Sequence, residues 1–477
     1  MNAAATSGPT SGPTARTLGE LRETGHVFRP IKAELRANLL ARLAAGDSRF
    51  AGIVGFDDTV LPQLERALLA GHDMVLLGER GQGKTRLART LVSLLDPWTP
   101  YITGSELREH PYAPISVHSR RLVTELGDEL PISWAAAEER YAEKLATPDT
   151  SIGDLIGDVD PVKVAAGRSL GDPQTVHYGL VPRANRGIFV VNELPDLAER
   201  IQVGLLNVLE ERDVQIRGYA LRLPLDLLVV ATANPEDYTN RGRIITPLKD
   251  RFGAEIRTHY PVELSDELAL VRQEADWTLL EADASELPKH LLEVLVRFTR
   301  AVRNSPVVDS RSGVSARFTI AAAETVVASA QRRAALTGET AVARVADLPC
   351  IVPTLRGKVE FEAGEEGREF DVLAHLLRKA IHEVFRARLG GADLVGFIER
   401  IATGEPVASG DLTPAADLLA ALGPVPGLGK LMSRLGIGEA ESPGHAAAAA
   451  EFALEGLYLG RKISKQTDAG RTTYSAA

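Results

Sequence analysis

Gly78-Glu79-Arg80-Gly81-Gln82-Gly83-Lys84-Thr85 is a complete GxxxxGK[ST] pattern. Glycines at these spacings let a backbone wrap a phosphate, with several N–H groups turned inward where the next helix begins. The lysine then reaches the β- and γ-phosphates of a nucleotide, and the threonine hydroxyl ligates Mg²⁺. An apolar run, Met74–Leu77, precedes the loop, and a helical pattern from Lys84 to about Leu95 follows it. That is the context the mechanism needs, and the contact stretch is expected to continue through Arg86. A glycine-rich turn without a nucleotide is the competing reading.

Three further segments offer groups that suit phosphoryl transfer. Gly187-Ile188-Phe189-Val190-Val191-Asn192-Glu193 is an apolar run ending in two polar residues, the layout of a Walker B strand. There the first polar residue holds Mg²⁺ through water and the second orients the attacking water. Asn192 stands at the first position, with an acceptor oxygen but no charge, so the metal is expected to be held less firmly. Glu193 supplies a carboxylate base. Val229-Val230-Ala231-Thr232-Ala233-Asn234-Pro235 ends a second apolar run in an amide that suits a γ-phosphate sensor. Alone, Asn192-Glu193 is equally a strand end, and Asn234-Pro235 equally a turn. Arg251 and Arg317 follow, the latter where a helical pattern begins. A guanidinium fork suits phosphate, although most arginines are solvated surface groups.

The elements that would position these groups follow from the apolar pattern. Met74–Leu77, Ile188–Val191 and Leu227–Ala231 are strands with no wet face. Leu197, Ile201, Leu205, Val208 and Leu209 lie on one face of a helix between the last two. Strands alternating with helices predict an α/β fold, a mostly parallel sheet flanked by helices. Beyond Val262 helical patterns dominate, near 263–276, 286–303 and 317–336. Residues 371–460 are again helical, interrupted at Gly423–Gly429.

Composition narrows the function classes. The 477 residues carry a net charge of −10, which argues against broad binding to nucleic acid or to an anionic membrane. One cysteine, Cys350, excludes an intrachain disulfide and a Cys-based zinc cluster, and reads as a small core residue. No apolar run is long enough for a membrane span and no secretory leader is evident, so a reducing cytoplasm is expected.

Taken in order, the segments resemble the magnesium chelatase I subunit and its MoxR relatives among the AAA+ ATPases. The likeness runs from about residue 48 to 335. It rests on Ile53-Val54-Gly55, the phosphate loop, Arg183-Ala184-Asn185-Arg186-Gly187-Ile188, Asn234-Pro235-Glu236-Asp237, and Leu248-Lys249-Asp250-Arg251-Phe252-Gly253, where the family has LLDRFG. The resemblance implies ATP and Mg²⁺ as cofactors. Ile53, Val54 and Gly55 would border the adenine. Lys84, Thr85 and Glu193 would be the catalytic cluster, with Asn192 on the metal through water and Asn234 as sensor 1. Arg251 would be a finger offered to a neighbouring subunit, and Arg317 sensor 2. The family further implies a hexameric ring, a partner bearing a von Willebrand A domain, and two inserted hairpins. Asp154–His177 leaves room for one hairpin, and Val214–Arg217 with Leu221–Leu223 flank a Gly-Tyr turn for the other.

The expected organisation is a disordered tail (1–16), an AAA+ nucleotide-binding domain (17–262), a helical lid (263–340), a mostly helical C-terminal region (341–465) and a loose tail (466–477). The leading expectation is an ATP-driven motor that remodels, or inserts metal into, a partner protein. A porphyrin chelatase subunit is one alternative. A nucleotide-gated scaffold, favoured by Asn192, is another. An activator of transcription fits poorly, for want of a GAFTGA loop and a DNA-binding helix pair. A helicase fits poorly with the acidic balance, despite Arg217 and Arg222 on the second hairpin.

Overall fold

The computed structural model describes residues 12–47, 50–159, 176–210, 214–216, 219–221, 223–235, 243–277, 286–309, 313–362, 364, 367–438, 442–468 and 471–477. The chain divides into two compact units, residues 1–259 and 260–477.

The strands of the first unit are β1 (Met74–Leu77), β2 (Trp98–Ile102), β3 (Ile132–Ala136), β4 (Tyr141–Leu145), β5 (Gly157–Val159), β6 (Val176–Tyr178), β7 (Gly187–Asn192), β8 (Val214–Ile216), β9 (Tyr219–Leu221), β10 (Leu227–Ala233) and β11 (Ala254–Arg257). Five form one sheet in the order β11-β1-β10-β7-β4, every neighbouring pair parallel. Alternate side chains of its central strands enter two different cores. Val75, Leu77, Phe189, Val191, Val229 and Ala231 join the helix Glu199–Glu210 through Ile201, Leu205 and Val208. Met74, Leu76, Ile188, Val190, Leu228 and Val230 join Leu35, Leu64 and Leu87 of the helices Ile31–Ala45, Val60–Leu69 and Lys84–Thr90. A strand covered on both faces has no reason to alternate polar with apolar, so these read as unbroken apolar runs.

Several expectations change in detail. The apolar pattern from Leu18 to Leu43, which reads as helical, is two helices, Leu18–Glu23 and Ile31–Ala45, the second starting after Pro30, whose ring suits the entry to a helix. The helix after the phosphate loop is α-helical only to Thr90 and tightens to 3₁₀ over Leu91–Leu94. Order begins before residue 17: Ala15 is buried and its carbonyl accepts from Trp134 Nε1 at 2.8 Å. Residues 1–11 lie outside the described residues. Both expected hairpins have paired strands, β5 with β6 and β8 with β9. Residues 160–175, Arg217 and Arg222 lie outside the described residues.

The second unit holds long helices at Leu264–Glu274, Lys289–Arg303, Ala316–Thr337, Glu369–Leu389 and Pro443–Leu459. The Gly423–Gly429 break separates the helices Ala415–Leu422 and Leu428–Leu435. The expected lid and C-terminal region are not separate. Phe298 and Val326 share one core with Val384, Phe452 and Leu454, and the helix Pro443–Leu459 is buried nearly all round. The expected loose tail is also corrected. Strands β12 (Val407–Gly410), β13 (Ser464–Asp468) and β14 (Arg471–Ser475) form an antiparallel sheet in the order β12-β14-β13. Tyr474, 1% exposed, donates its hydroxyl to Glu455 Oε2 at 2.6 Å. A polar strand with one inward aromatic and a partner far upstream leaves little trace in local composition. Cys350 is half-buried against the same core, and burial pushes its thiol up to about 11, too high for a reactive thiolate.

Candidate nucleotide site

The sheet order decides who meets whom. β10 lies between β1 and β7, so the residue after β10 stands between the loop after β1 and the residue after β7. Asn234 occupies that position, 6% exposed. Its Oδ1 accepts from Lys84 Nζ at 2.9 Å, and its Nδ2 donates to Glu193 Oε2 at 2.7 Å. Three groups separated by long stretches of chain therefore form one row along the carboxyl ends of the strands.

The loop itself is built around two constraints. Gly81 and Gly83 have φ of 74° and 76°, the left-handed region that costs side-chain-bearing residues energy. At Gly78 the constraint is space, because a Cβ would stand 1.9 Å from Thr258 Oγ1 and 2.4 Å from Gln82 Oε1. The Gln82 side-chain Oε1 fills the turn, accepting from the Glu79 N–H at 3.0 Å and from Thr258 Oγ1 at 3.0 Å. Lys84, buried, also donates to the carbonyl oxygens of Gly78 and Glu79. Glu79 is half-buried, while Arg80 and Arg86 are exposed. Ile53 packs beside the core that holds Phe50 and Phe56, and Gly55 turns the chain with φ of 78°. Val54 is half-buried between them.

At the end of β7, Glu193 takes a left-handed backbone, φ 55° and ψ 49°, and its N–H donates to Thr232 Oγ1 at 3.1 Å. A non-glycine residue held there is a strained position, the kind that accumulates at functional sites. Thr232 Oγ1 in turn donates to Asn192 Oδ1 at 3.2 Å, and Thr85 Oγ1 approaches the same oxygen at 3.3 Å. Asn192 Nδ2 donates to Glu143 Oε1, on β4, at 2.6 Å. Burial opposes ionisation of Glu143, but hydrogen bonds from Arg89, Tyr141 and Asn192 outweigh it and hold the carboxyl below its usual range.

The two arginines are carried by other elements. Arg251 ends the helix Thr246–Arg251, donating Nη2 to Glu210 Oε1 at 2.8 Å and Nη1 to Asp250 Oδ2 at 2.9 Å. Arg317 is exposed near the start of the helix Ala316–Thr337 in the second unit.

Known proteins share this arrangement of segments. Residues 168–251, which carry β7, Glu193, β10 and Asn234, match the Sigma-54 interaction domain. The chain is 27% identical over 270 residues to the chloroplastic magnesium-chelatase subunit ChlI of Glycine max, covering 54% of this chain and 60% of that protein. It is 29% identical over 216 residues to chloroplastic ChlI-1 of Arabidopsis thaliana, covering 43% and 46%. In sequence the chain resembles the AAA+ ATPases of the magnesium chelatase I family. It spans between 46% and 60% of the length of these two relatives. Among solved structures, the complex between subunits BchI and BchD of magnesium chelatase aligns at 22% identity and a TM-score of 0.34, covering 67% of this chain and 98% of that one.

Lys84, Thr85, Asn192, Glu193 and Asn234 stand out in the sequence, whereas three supports do not. Thr232 was the polar interruption of an apolar run, a visible signal. Thr258 follows a strand too short and mixed to notice. Glu143 left no signal at all, since Tyr141-Ala142-Glu143-Lys144-Leu145 reads as a surface stretch. Among the described residues no helix is long and apolar enough to cross a membrane.

Proposed function

We propose that this chain is an ATP-hydrolysing, MoxR-like ring motor that uses Mg²⁺·ATP to remodel a protein partner or to insert metal into one. The observation that carries the reading is the convergence of Lys84, Asn234 and Glu193 through two hydrogen bonds of 2.9 and 2.7 Å. A buried lysine, a polarising amide and a carboxylate in one row are what phosphoryl transfer to water needs.

The residues fit both cofactors. Lys84 would exchange its contacts with the loop carbonyls for phosphate oxygens, and Ile53–Gly55 would border the adenine. Thr85 Oγ1 and Asn192 Oδ1 lie 3.3 Å apart and are both neutral oxygens, a donor set that suits a hard cation held partly through water. When bound, Mg²⁺ neutralises charge building on the phosphates. Glu193 would orient the attacking water and receive its proton at a carboxylate oxygen. Asn234 would hold Glu193 through Nδ2 and sense the γ-phosphate through the oxygen now on Lys84.

Arg251 would act in trans, in a cytoplasmic ring of six copies, and Arg317 would serve as sensor 2. A partner with a von Willebrand A domain would link the ring to its client. The relatives are magnesium-chelatase subunits, which favours a chelatase subunit as the second reading, although the region beyond residue 340 has no counterpart in the resemblance. The test is phosphate release at saturating ATP. Glu193→Gln should retain nucleotide and stall, whereas release at the wild-type rate would overturn the assignment.

A further inference from the structure

We infer that Glu143 is a positioning residue for the metal side of the nucleotide site, and that the site is built to hold asparagine, not aspartate, at 192. The inference rests on the nucleotide reading above, but its basis is the hydrogen bonding around one amide. An amide has one acceptor end and one donor end. Asn192 Oδ1 faces the hydroxyls of Thr85 and Thr232 at 3.3 and 3.2 Å, while Nδ2 faces Glu143 Oε1 at 2.6 Å. The two hydroxyls could rotate to suit either orientation of the amide. An ionised carboxylate cannot, because it only accepts. Glu143 therefore decides which way Asn192 points, and it points its oxygen at Thr85.

Glu143 can impose this because it is itself fixed. Arg89 donates Nε to Oε2 at 2.9 Å and Nη2 to Oε1 at 3.0 Å, and Tyr141 donates its hydroxyl to Oε2 at 2.9 Å. Arg89 belongs to the helix Lys84–Thr90 that begins with Lys84 and Thr85. One carboxylate thus ties the edge strand β4 to both the phosphate-loop helix and the end of β7.

The consequence runs against the simple expectation that a charged side chain at 192 would hold the metal more firmly than the uncharged Asn192. An aspartate at 192 would set two acceptor-only, negatively charged oxygens about 2.6 Å apart with no proton between them. Repulsion would turn the new carboxylate away from Glu143 or break the Arg89 and Tyr141 contacts. Either way the oxygen that faces Thr85 would move. Glutamine at 143 supplies an N–H in place of the charge, so Glu143→Gln should rescue Asn192→Asp.

The experiment compares wild type, Asn192→Asp, Glu143→Gln and the double variant by two measurements. One is thermal unfolding of the full chain without metal or nucleotide. The other is Mn²⁺-dependent binding of a fluorescent ATP analogue, read as the Mn²⁺ concentration at half-saturation. Asn192→Asp alone should lower the melting temperature and raise the Mn²⁺ requirement by roughly tenfold, the size of coupling seen between neighbouring groups. The double variant should melt above Asn192→Asp, though below wild type because Glu143→Gln also gives up the Arg89 Nη2 contact to Oε1, and should need less Mn²⁺ than Asn192→Asp. Unchanged melting with a lower Mn²⁺ requirement in Asn192→Asp alone would overturn the inference, as would purely additive effects in the double variant. If no variant, wild type included, binds the nucleotide analogue, the nucleotide reading fails. The metal-free melting cycle then still decides whether Glu143 and Asn192 are coupled.

Discussion

Asn234 joins Lys84 to Glu193: its amide oxygen takes the ammonium at 2.9 Å while its amide nitrogen holds the carboxylate at 2.7 Å. One side chain thus bonds a cation at one end and an anion at the other, and Asn234→Ala removes both bonds. Phosphate release should then fall by about 10²–10³-fold, the loss seen when one oriented polar group is removed from a reacting site. Measuring turnover beside nucleotide affinity checks this, since affinity should change far less than turnover. Equal losses in both would make Asn234 a binding residue rather than an orienting one.

Arg251 is held by Glu210 and Asp250 of its own chain, on a surface where it touches none of Lys84, Asn192, Glu193 or Asn234. If it serves a neighbouring subunit, Arg251→Ala should leave nucleotide binding nearly unchanged and lower assembled turnover by up to about 10³-fold. Mixing Arg251→Ala with Glu193→Gln chains should restore part of the activity, because some interfaces then combine a finger with a base. No activity at any mixing ratio would count against a shared interface.

The C-terminal strands are part of the second unit's core, and that claim is open to a stability measurement. Tyr474→Ala removes a buried aromatic side chain and should cost about 3–5 kcal/mol in denaturant unfolding, as large-to-small core changes do. Tyr474→Phe keeps the ring and removes only the donor to Glu455, which also accepts from Lys465 Nζ at 2.7 Å. It should cost less, about 1–3 kcal/mol. Wild-type stability in Tyr474→Ala would return residues 466–477 to the status of a loose tail.

His290 gives the second unit an acid sensitivity. It is fully buried beside Phe452, and neither ring nitrogen has a partner among the described residues. Burial first, then the charges of Arg388 and His445, lower its pKa to about 3. The folded value lies below the unfolded one, so the unfolded chain binds the extra proton. Stability is complete above about pH 6.5 and is lost as pH falls toward 3, at up to about 1.4 kcal/mol per pH unit. His290→Leu should flatten this part of the stability–pH curve. A variant curve parallel to wild type between pH 6 and 4 would show that His290 is not the group responsible.

The legible parts of the molecule were those with both faces covered. Gly187–Asn192 and Leu227–Ala233 are wholly buried, so their apolar runs announced strands, and the polar residues ending them announced the site. Edge strand β4 was illegible because half of it faces solvent, and with it went Glu143, the residue that sets the Asn192 amide. The missing charge at Asn192 was visible, but its meaning was not, since that depends on a neighbour nearly fifty positions away. The C-terminal sheet was missed for a related reason: Ser464–Asp468 and Arg471–Ser475 bury little besides Tyr474 and pair with a distant strand. Arg251 was legible as a motif, whereas its pairing with Glu210 depends on where the helix Glu199–Glu210 ends.

The central claim is that Lys84 and the glycine loop form a working nucleotide site. Calorimetric titration of ATP with Mg²⁺ into the full chain and into Lys84→Ala tests it most directly. The account predicts saturable binding by the wild type and its loss in the variant, because the loop then lacks the cation that reaches the β- and γ-phosphates. Binding of equal affinity by both proteins, or none by a folded wild type, would contradict it.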